Sequence, residues 1–418
     1  MAIYFRSAGT CIFPVSQLQY QPVPVFHSPN YPLNLGEPLE TGFYTVNGQT
    51  SNLLFGRKVI GDQGTYVLTG QTSNLLFKHL LAATQGSYAL TGQDANLLFG
   101  RKFAANQGSY TLTGITTNLL HGYKVIGDQG SYTLTGTSSN LLFKHLLTAV
   151  QGDYTLTGQS VGLSKGFVLV ASQGNYILTG EDSTLLFKHL LSAAQGSYAL
   201  TGEPANLLFG RRLVADTGNY TLTGEAANLL FKHLLTADQG NYTLTGEAAN
   251  LLFGHKLTAD QGNYTLTGEA ANLLFKHKLT ADFGAYVLLG EDVNLVHSIS
   301  RTLIAEAGLY SVSGQDSTLL FKRILRADQG AYVLTGENSN LLFNRLMAAA
   351  QGSYALTGQD VNLLSQHILA ASTGSYTLTG DAANLVFKRI LRADQGSYII
   401  TGEAATLTYH SLAYNAPF

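Results

Sequence analysis

A tyrosine returns every 22 residues along this chain. Tyr44, Tyr66, Tyr88 and their successors keep that interval as far as Tyr286. One step of 24 leads to Tyr310, and the interval of 22 then resumes to Tyr398. Around each tyrosine sits a short phrase, cleanest as Gly-Asn-Tyr-Thr-Leu-Thr-Gly at 240–246 and again at 262–268. A fixed period of this size is the signature of a repeat architecture, in which each unit buries its apolar face against its neighbours. The 418 residues therefore read as one long array and not as two or three separate globular domains.

Within one unit, residues 249–268, apolar residues alternate with polar ones. Leu251, Phe253, Leu257 and Ala259 fall at period two, and so do Tyr264 and Leu266. That is the strand pattern; a helical stripe at three- and four-residue spacing does not fit. The markers of the repeat are Tyr242, Gly246, Asn250, Leu251, Leu252, Gly262, Tyr264 and Gly268. Ala259-Asp260-Gln261-Gly262 has the composition of a tight hairpin turn, which predicts a left-handed Gly262. The other connection varies in its middle, as Gln71-Thr72-Ser73 or Glu203-Pro204-Ala205, which predicts an exposed loop. The recurring pair Leu251-Leu252 makes both strand faces apolar at that point and predicts burial on both sides. The expected fold is all-β: an elongated array of about sixteen 22-residue hairpin-like repeats, a fibre shaft, with a single-chain β-solenoid as the alternative.

The ends differ from the array. Residues 1–41 do not repeat and hold six of the eight prolines together with Phe13, Tyr20, Phe26 and Tyr31. Proline removes backbone donors, so an extended, irregular segment is expected there rather than regular sheet. It is read either as a cap on the first repeat or as an anchor that docks on another protein. Residues 42–402 are the repeat shaft, with a two-residue insertion near 297–301, and 403–418 form a C-terminal cap. An even insertion keeps every side chain on its own face.

Charged residues are only 12% of the chain and the net charge is −2, which leaves no basic footprint for nucleic acid. No apolar run is long enough for a membrane helix, and no secretory signal is recognisable at the start. Cys11 is the only cysteine, so no intrachain disulfide framework exists. Histidines at 233, 255 and 277 are candidates for a metal ladder, but Arg57 and Arg101 take the same slot, and a guanidinium does not ligate. A cationic stem packed over aromatics, or paired with Glu225, Glu247 or Glu269, is the simpler role. Asp260 and Asp282 supply one carboxylate per turn, too few oxygens for calcium. No catalytic constellation confined to one place stands out, so the chain is expected not to be an enzyme and to need no metal or cofactor.

Gly-Ser-Tyr-Thr-Leu-Thr-Gly at 130–136 and 374–380 resembles the Gly-Ser-Tyr-x-Leu-Thr-Gly repeats of proteins encoded by tailed phages and phage-derived genomic regions. The resemblance covers residues 42–410 and implies a virion fibre or appendage. A looser, architectural similarity links the strand–turn–strand–loop pattern to adenovirus-type fibre shafts, which are trimers. The expectation is a homotrimeric structural fibre of a bacteriophage virion, made in the host cytoplasm and joined through residues 1–41 to a neck, tail or capsid protein. The alternatives are a β-solenoid adhesin that binds a cell-surface glycan and an extracellular filament subunit that polymerises with itself.

Overall fold

The structure is a computed structural model that describes residues 25–27, 33–35 and 41–409, apart from short segments of at most four residues such as 56–57 and 298–301. They fall into two compact units, residues 1–204 and 205–418. Every described element is a β-strand.

Consecutive strands do not pair with each other as hairpins. In the second unit, the six-residue strand Ala248–Phe253 lies parallel to Ala226–Phe231 on one side and to Ala270–Phe275 on the other. The register joins Asn228 to Asn250 and Asn250 to Asn272, an offset of one repeat. The twelve-residue strand Lys256–Thr267 pairs in the same way with Leu234–Thr245. The first unit repeats the arrangement, with Thr116–His121 between Asp94–Phe99 and Ser138–Phe143. Each unit is thus a parallel β-solenoid in which one repeat makes one coil. Of the two arrangements weighed from sequence, the single-chain solenoid is the one observed.

The hairpin expectation is corrected at Asp260-Gln261-Gly262. The strand Lys256–Thr267 continues through this stretch, and its ladder skips only Asp260 between Ala259 and Gln261. The chain bends there without reversing. The apolar pattern shows the bend as a change of parity, from Leu257 and Ala259 to Gly262, Tyr264 and Leu266. From residue 278 the long strand divides openly at the same place, into Lys278–Ala281 and Ala285–Leu289. A coil therefore has three straight segments. Parallel stacking satisfies the backbone of all three from neighbouring coils, so no tight turn is needed.

The variable connection is also shorter than expected. It is a two-residue corner, Gly246-Glu247, after which the chain resumes as strand at Ala248. Of its varying residues, Ser73, Ala205 and Ser339 are fully buried. Variation at that slot is a choice among small interior side chains and does not mark an exposed loop.

At the N-terminal end, Val25–His27 pairs in parallel with Thr45–Asn47, which sets Phe26 opposite Val46. Leu33–Leu35 pairs with Leu53–Phe55. These two short pieces of the proline-rich segment are regular sheet, a departure from the irregular chain expected. Phe13, Tyr20 and Tyr31 lie outside the described residues, as does the slot of His233, His255, His277, Arg57 and Arg101. The two extra residues near 297–301 fall between Asp292–His297 and Thr302–Ala305. Pairing resumes unchanged beyond them, with Leu279 opposite Leu303 and Tyr286 opposite Tyr310.

The interior is made by alternation. Tyr242 and Leu244 from the long strand, and Ala249 and Leu251 from the short one, point inward and are at most 1% exposed. Burying one leucine is worth about 1.5–3 kcal/mol, so each added coil brings several such contributions.

Candidate functional site: internal ladders and outward faces

In-register stacking turns every slot of the repeat into a column. Tyrosine rings stack directly: Tyr242 and Tyr264 lie with centroids 4.6 Å apart and planes 3° from parallel. In the first unit Tyr154 and Tyr176 stand at 4.7 Å and 1°. The separation matches the distance between neighbouring strands, about 4.7–4.9 Å, so each ring covers the next along the column. Phe209 meets Tyr220 edge-on at 6.3 Å.

Burial raises the tyrosine pKa values in both units, as at Tyr88, Tyr154, Tyr264 and Tyr332. For Tyr264 desolvation is the main cause, and charge on the neighbouring tyrosines, Tyr286 first, adds to it. At the C-terminal end, where Tyr398 is half-buried, the phenol is pushed up to about 12 by desolvation. The hydroxyls of Tyr310 and Tyr354 are buried and meet no hydrogen-bond partner among the described residues. These phenols remain neutral in the folded protein.

Asparagine forms a second column on the outward side of the short strands. Asn250 Nδ2 donates to Asn228 Oδ1 at 3.1 Å, and Asn272 Nδ2 donates to Asn250 Oδ1 at 3.1 Å. In the first unit Asn74 donates to Asn52 at 2.8 Å and Asn96 to Asn74 at 2.9 Å. An amide carries both donor and acceptor, so an unbroken column of them is self-satisfying. A buried serine slot works differently. Ser73 Oγ donates to the carbonyl of Thr91 at 2.9 Å, and Ser339 Oγ to that of Thr357 at 3.0 Å.

The corner glycines form the tightest column. Gly246 N donates to the carbonyl of Thr267 at 3.0 Å, and Ala270 N donates to that of Glu247 at 2.8 Å. A Cβ on Gly246 would overlap the carbonyl oxygen of Gly224, one coil earlier; on Gly268 it would overlap that of Gly246. Glycine is required here by the approach of another backbone, a reason the turn-based reading missed. Its recurrence after Thr at the end of each long strand was the available signal. Gly262 lies within a strand, and its counterparts Gly108 and Gly130 do not adopt a left-handed backbone.

Leu251 and Leu252 separate as alternation dictates. Leu251 is buried, whereas Leu252 faces outward and is half-buried. The expectation of burial on both sides is thus not met within the chain. The outward side of the long strand is polar in the same coils, with Asn241, Thr243 and Thr245 in sequence.

Among the described residues no group of His, Cys, Asp and Glu is placed to hold a metal ion. No described helix is long and apolar enough to cross a membrane. What distinguishes the described surface is a small set of outward columns repeated coil after coil. No protein-family model matches the chain, and no curated protein or solved structure matches it.

Proposed function

We propose that the chain is a structural protein of a bacteriophage virion, an appendage joined to the particle through residues 1–41. The carrying observation is that the tyrosine and glycine columns run through both units, with asparagine columns beside them interrupted only at Gly162, Thr184 and Thr318 among the described residues. Side chains spent on coil-to-coil stacking favour a stiff scaffold. The Gly-Ser-Tyr-x-Leu-Thr-Gly phrase adds the leaning towards phage. The test is mass spectrometry of gradient-purified particles, with immunogold labelling to locate the protein. Detection at a fixed position on the particle supports the reading, and deletion of residues 1–41 should abolish it while the coils still fold. Absence from purified particles would remove the virion role.

A second reading is a surface adhesin for a glycan. One observation favours it: strands pair within a single chain, the arrangement that went with this reading from the start, and the long strands around Thr221, Thr243 and Thr265 present uncharged Asn-Thr-Thr rows to solvent. Binding of the purified protein to a glycan array, lost on replacing Thr221, Thr243 and Thr265, would establish it over the virion role.

A further inference from the structure

We propose that the outward face of the short strands in the second unit is a self-association surface, and that its occupant is the same face of a second copy of the chain. This does not depend on the virion reading. Three columns make up the face, seen in Ala248, Asn250 and Leu252. The last column runs from Leu208 through Leu230, Leu252 and Leu274 to Val386, and each of these residues is half-buried. Each already leans on its neighbours one coil above and below, so what stays exposed is a continuous apolar ridge. The corresponding face of the long strands has Thr221, Thr243 and Thr265 in place of this ridge in the same coils.

Area and charge both fit a second copy. Nine short strands at about 4.8 Å spacing, each six residues of about 3.3 Å, cover roughly 40 by 20 Å. That is about 800 Å², the area each partner contributes to a stable interface of standard size. In the coils of Ala226–Phe231, Ala248–Phe253 and Ala270–Phe275 the outward residues are Ala, Asn and Leu, without charge, whereas Asp292, Asp316 and Asp360 stand in the first column of later coils, at the edge away from the ridge. The ridge and the middle column beside it carry no charge and meet those of a second copy without like-charge repulsion, and their flat, regular rows suit sheet-on-sheet packing. A ridge that meets the same ridge of its copy also sets the symmetry. Isologous pairing uses one patch twice, whereas a closed ring of three needs two different patches on each chain. A dimer is therefore proposed in place of the trimer expected from sequence.

The experiment is sedimentation equilibrium of the full chain, with twice the 44.7 kDa chain mass expected. Combining Leu230→Lys, Leu252→Glu and Leu274→Lys puts alternating charges into the ridge without self-repulsion along it. This variant should sediment at the mass of one chain and keep the β-sheet circular dichroism of the parent. Thr221→Lys, Thr243→Glu and Thr265→Lys, on the other face, should leave the dimer intact. Should the leucine variant lose its sheet signal, cross-linking decides. In a Cys11→Ser background, Val296→Cys, in the middle coil of the ridge, should give a covalent dimer with a short bis-maleimide and Thr243→Cys should not. A parent protein at one or three chain masses, a leucine variant still dimeric, or no cross-link from Val296→Cys would overturn the proposal.

Discussion

The ring of Tyr110 folds back over Gly108, two residues earlier on the same face of its strand. A Cβ on Gly108 would stand 3.0 Å from both Cε2 and Oη of that tyrosine. The Gly-x-Tyr phrase is therefore a packing unit in which the glycine makes room for a ring leaning along the strand. Gly108→Val should displace the ring and break its stack with Tyr88 and Tyr132, which stand 4.9 and 4.7 Å away. Overpacking of this kind costs about 1–3 kcal/mol. Urea unfolding of a fragment or full chain checks it, and an unchanged midpoint would contradict it.

A larger effect is expected at the corner. A Cβ on Gly246 meets backbone, the carbonyl oxygens of Gly224 and Glu225, the latter at 2.9 Å. Backbone held in a ladder cannot rotate away as a side chain can. Gly246→Ala should cost about 3 kcal/mol or more, beyond the usual range for one methyl group. Gly130→Ala, whose nearest neighbour is Tyr132 Cε2 at 3.3 Å, should cost clearly less. Equal losses in the two variants would refute the close-approach explanation.

Asn250→Asp tests the amide column. An aspartate there still accepts from Asn272 but has no donor for Asn228, so two oxygens face each other across the 3.1 Å contact. The loss should be about 1–2 kcal/mol near neutral pH. Because the fold disfavours the charged form, the variant's carboxyl should titrate above the usual carboxylate range. Its deficit is then full above that raised pKa and shrinks as the pH falls towards about 4, where a protonated acid donates again. Melting temperatures of variant and parent should converge on acidification. A constant gap would contradict the donor argument.

Alkaline pH tests the tyrosine column. Burial raises the phenols above their ordinary value of 10.0, as at Tyr132 and Tyr220. The stability this reflects is complete below pH 10 and is lost as the pH rises beyond it, because only the unfolded chain then releases its phenolic protons. Each such tyrosine removes about 1.4 kcal/mol per pH unit, and many act together, so the transition should be steep. Phenolate absorbance and loss of sheet signal should appear together. Tyr398, half-buried and pushed up to about 12, should ionise on its own as the pH nears that value. Phenolate from most of the 23 tyrosines appearing near pH 10 with the sheet intact would contradict a buried column.

The strand content, the repeat length and the inward-facing set were legible in the sequence, since alternation places Tyr242, Leu244 and Leu251 on one face whatever their partners. Strand pairing was not. Asp260-Gln261-Gly262 carries the same residues whether the chain reverses or bends, and the hydrogen-bonding partner of Tyr264's strand lies a whole repeat away, around Tyr242. Local turn chemistry outweighed the parity change between Ala259 and Gly262, which was the available sign of a bend. Leu252 misled for a related reason: an apolar residue on the outer face predicts burial, and a single chain cannot say against what. The buried serine slot was hidden because Ser, Ala and Val exchange there, a pattern that in sequence resembles an unconstrained loop.

The central claim is that one repeat makes one coil, with identical residues stacked in parallel. Nitroxide labels at Thr243 and Thr265 test it most directly, because these positions pair across adjacent coils of the second unit. Doubly labelled protein, with Cys11 replaced by serine and diluted into excess unlabelled chain, should show strong dipolar broadening. The backbones then lie one strand spacing apart, about 4.8 Å. Labels at Thr243 and Thr377, several coils apart, should not broaden each other in this way. Narrow lines from the Thr243 and Thr265 pair, equal to those of either single label, would contradict the solenoid.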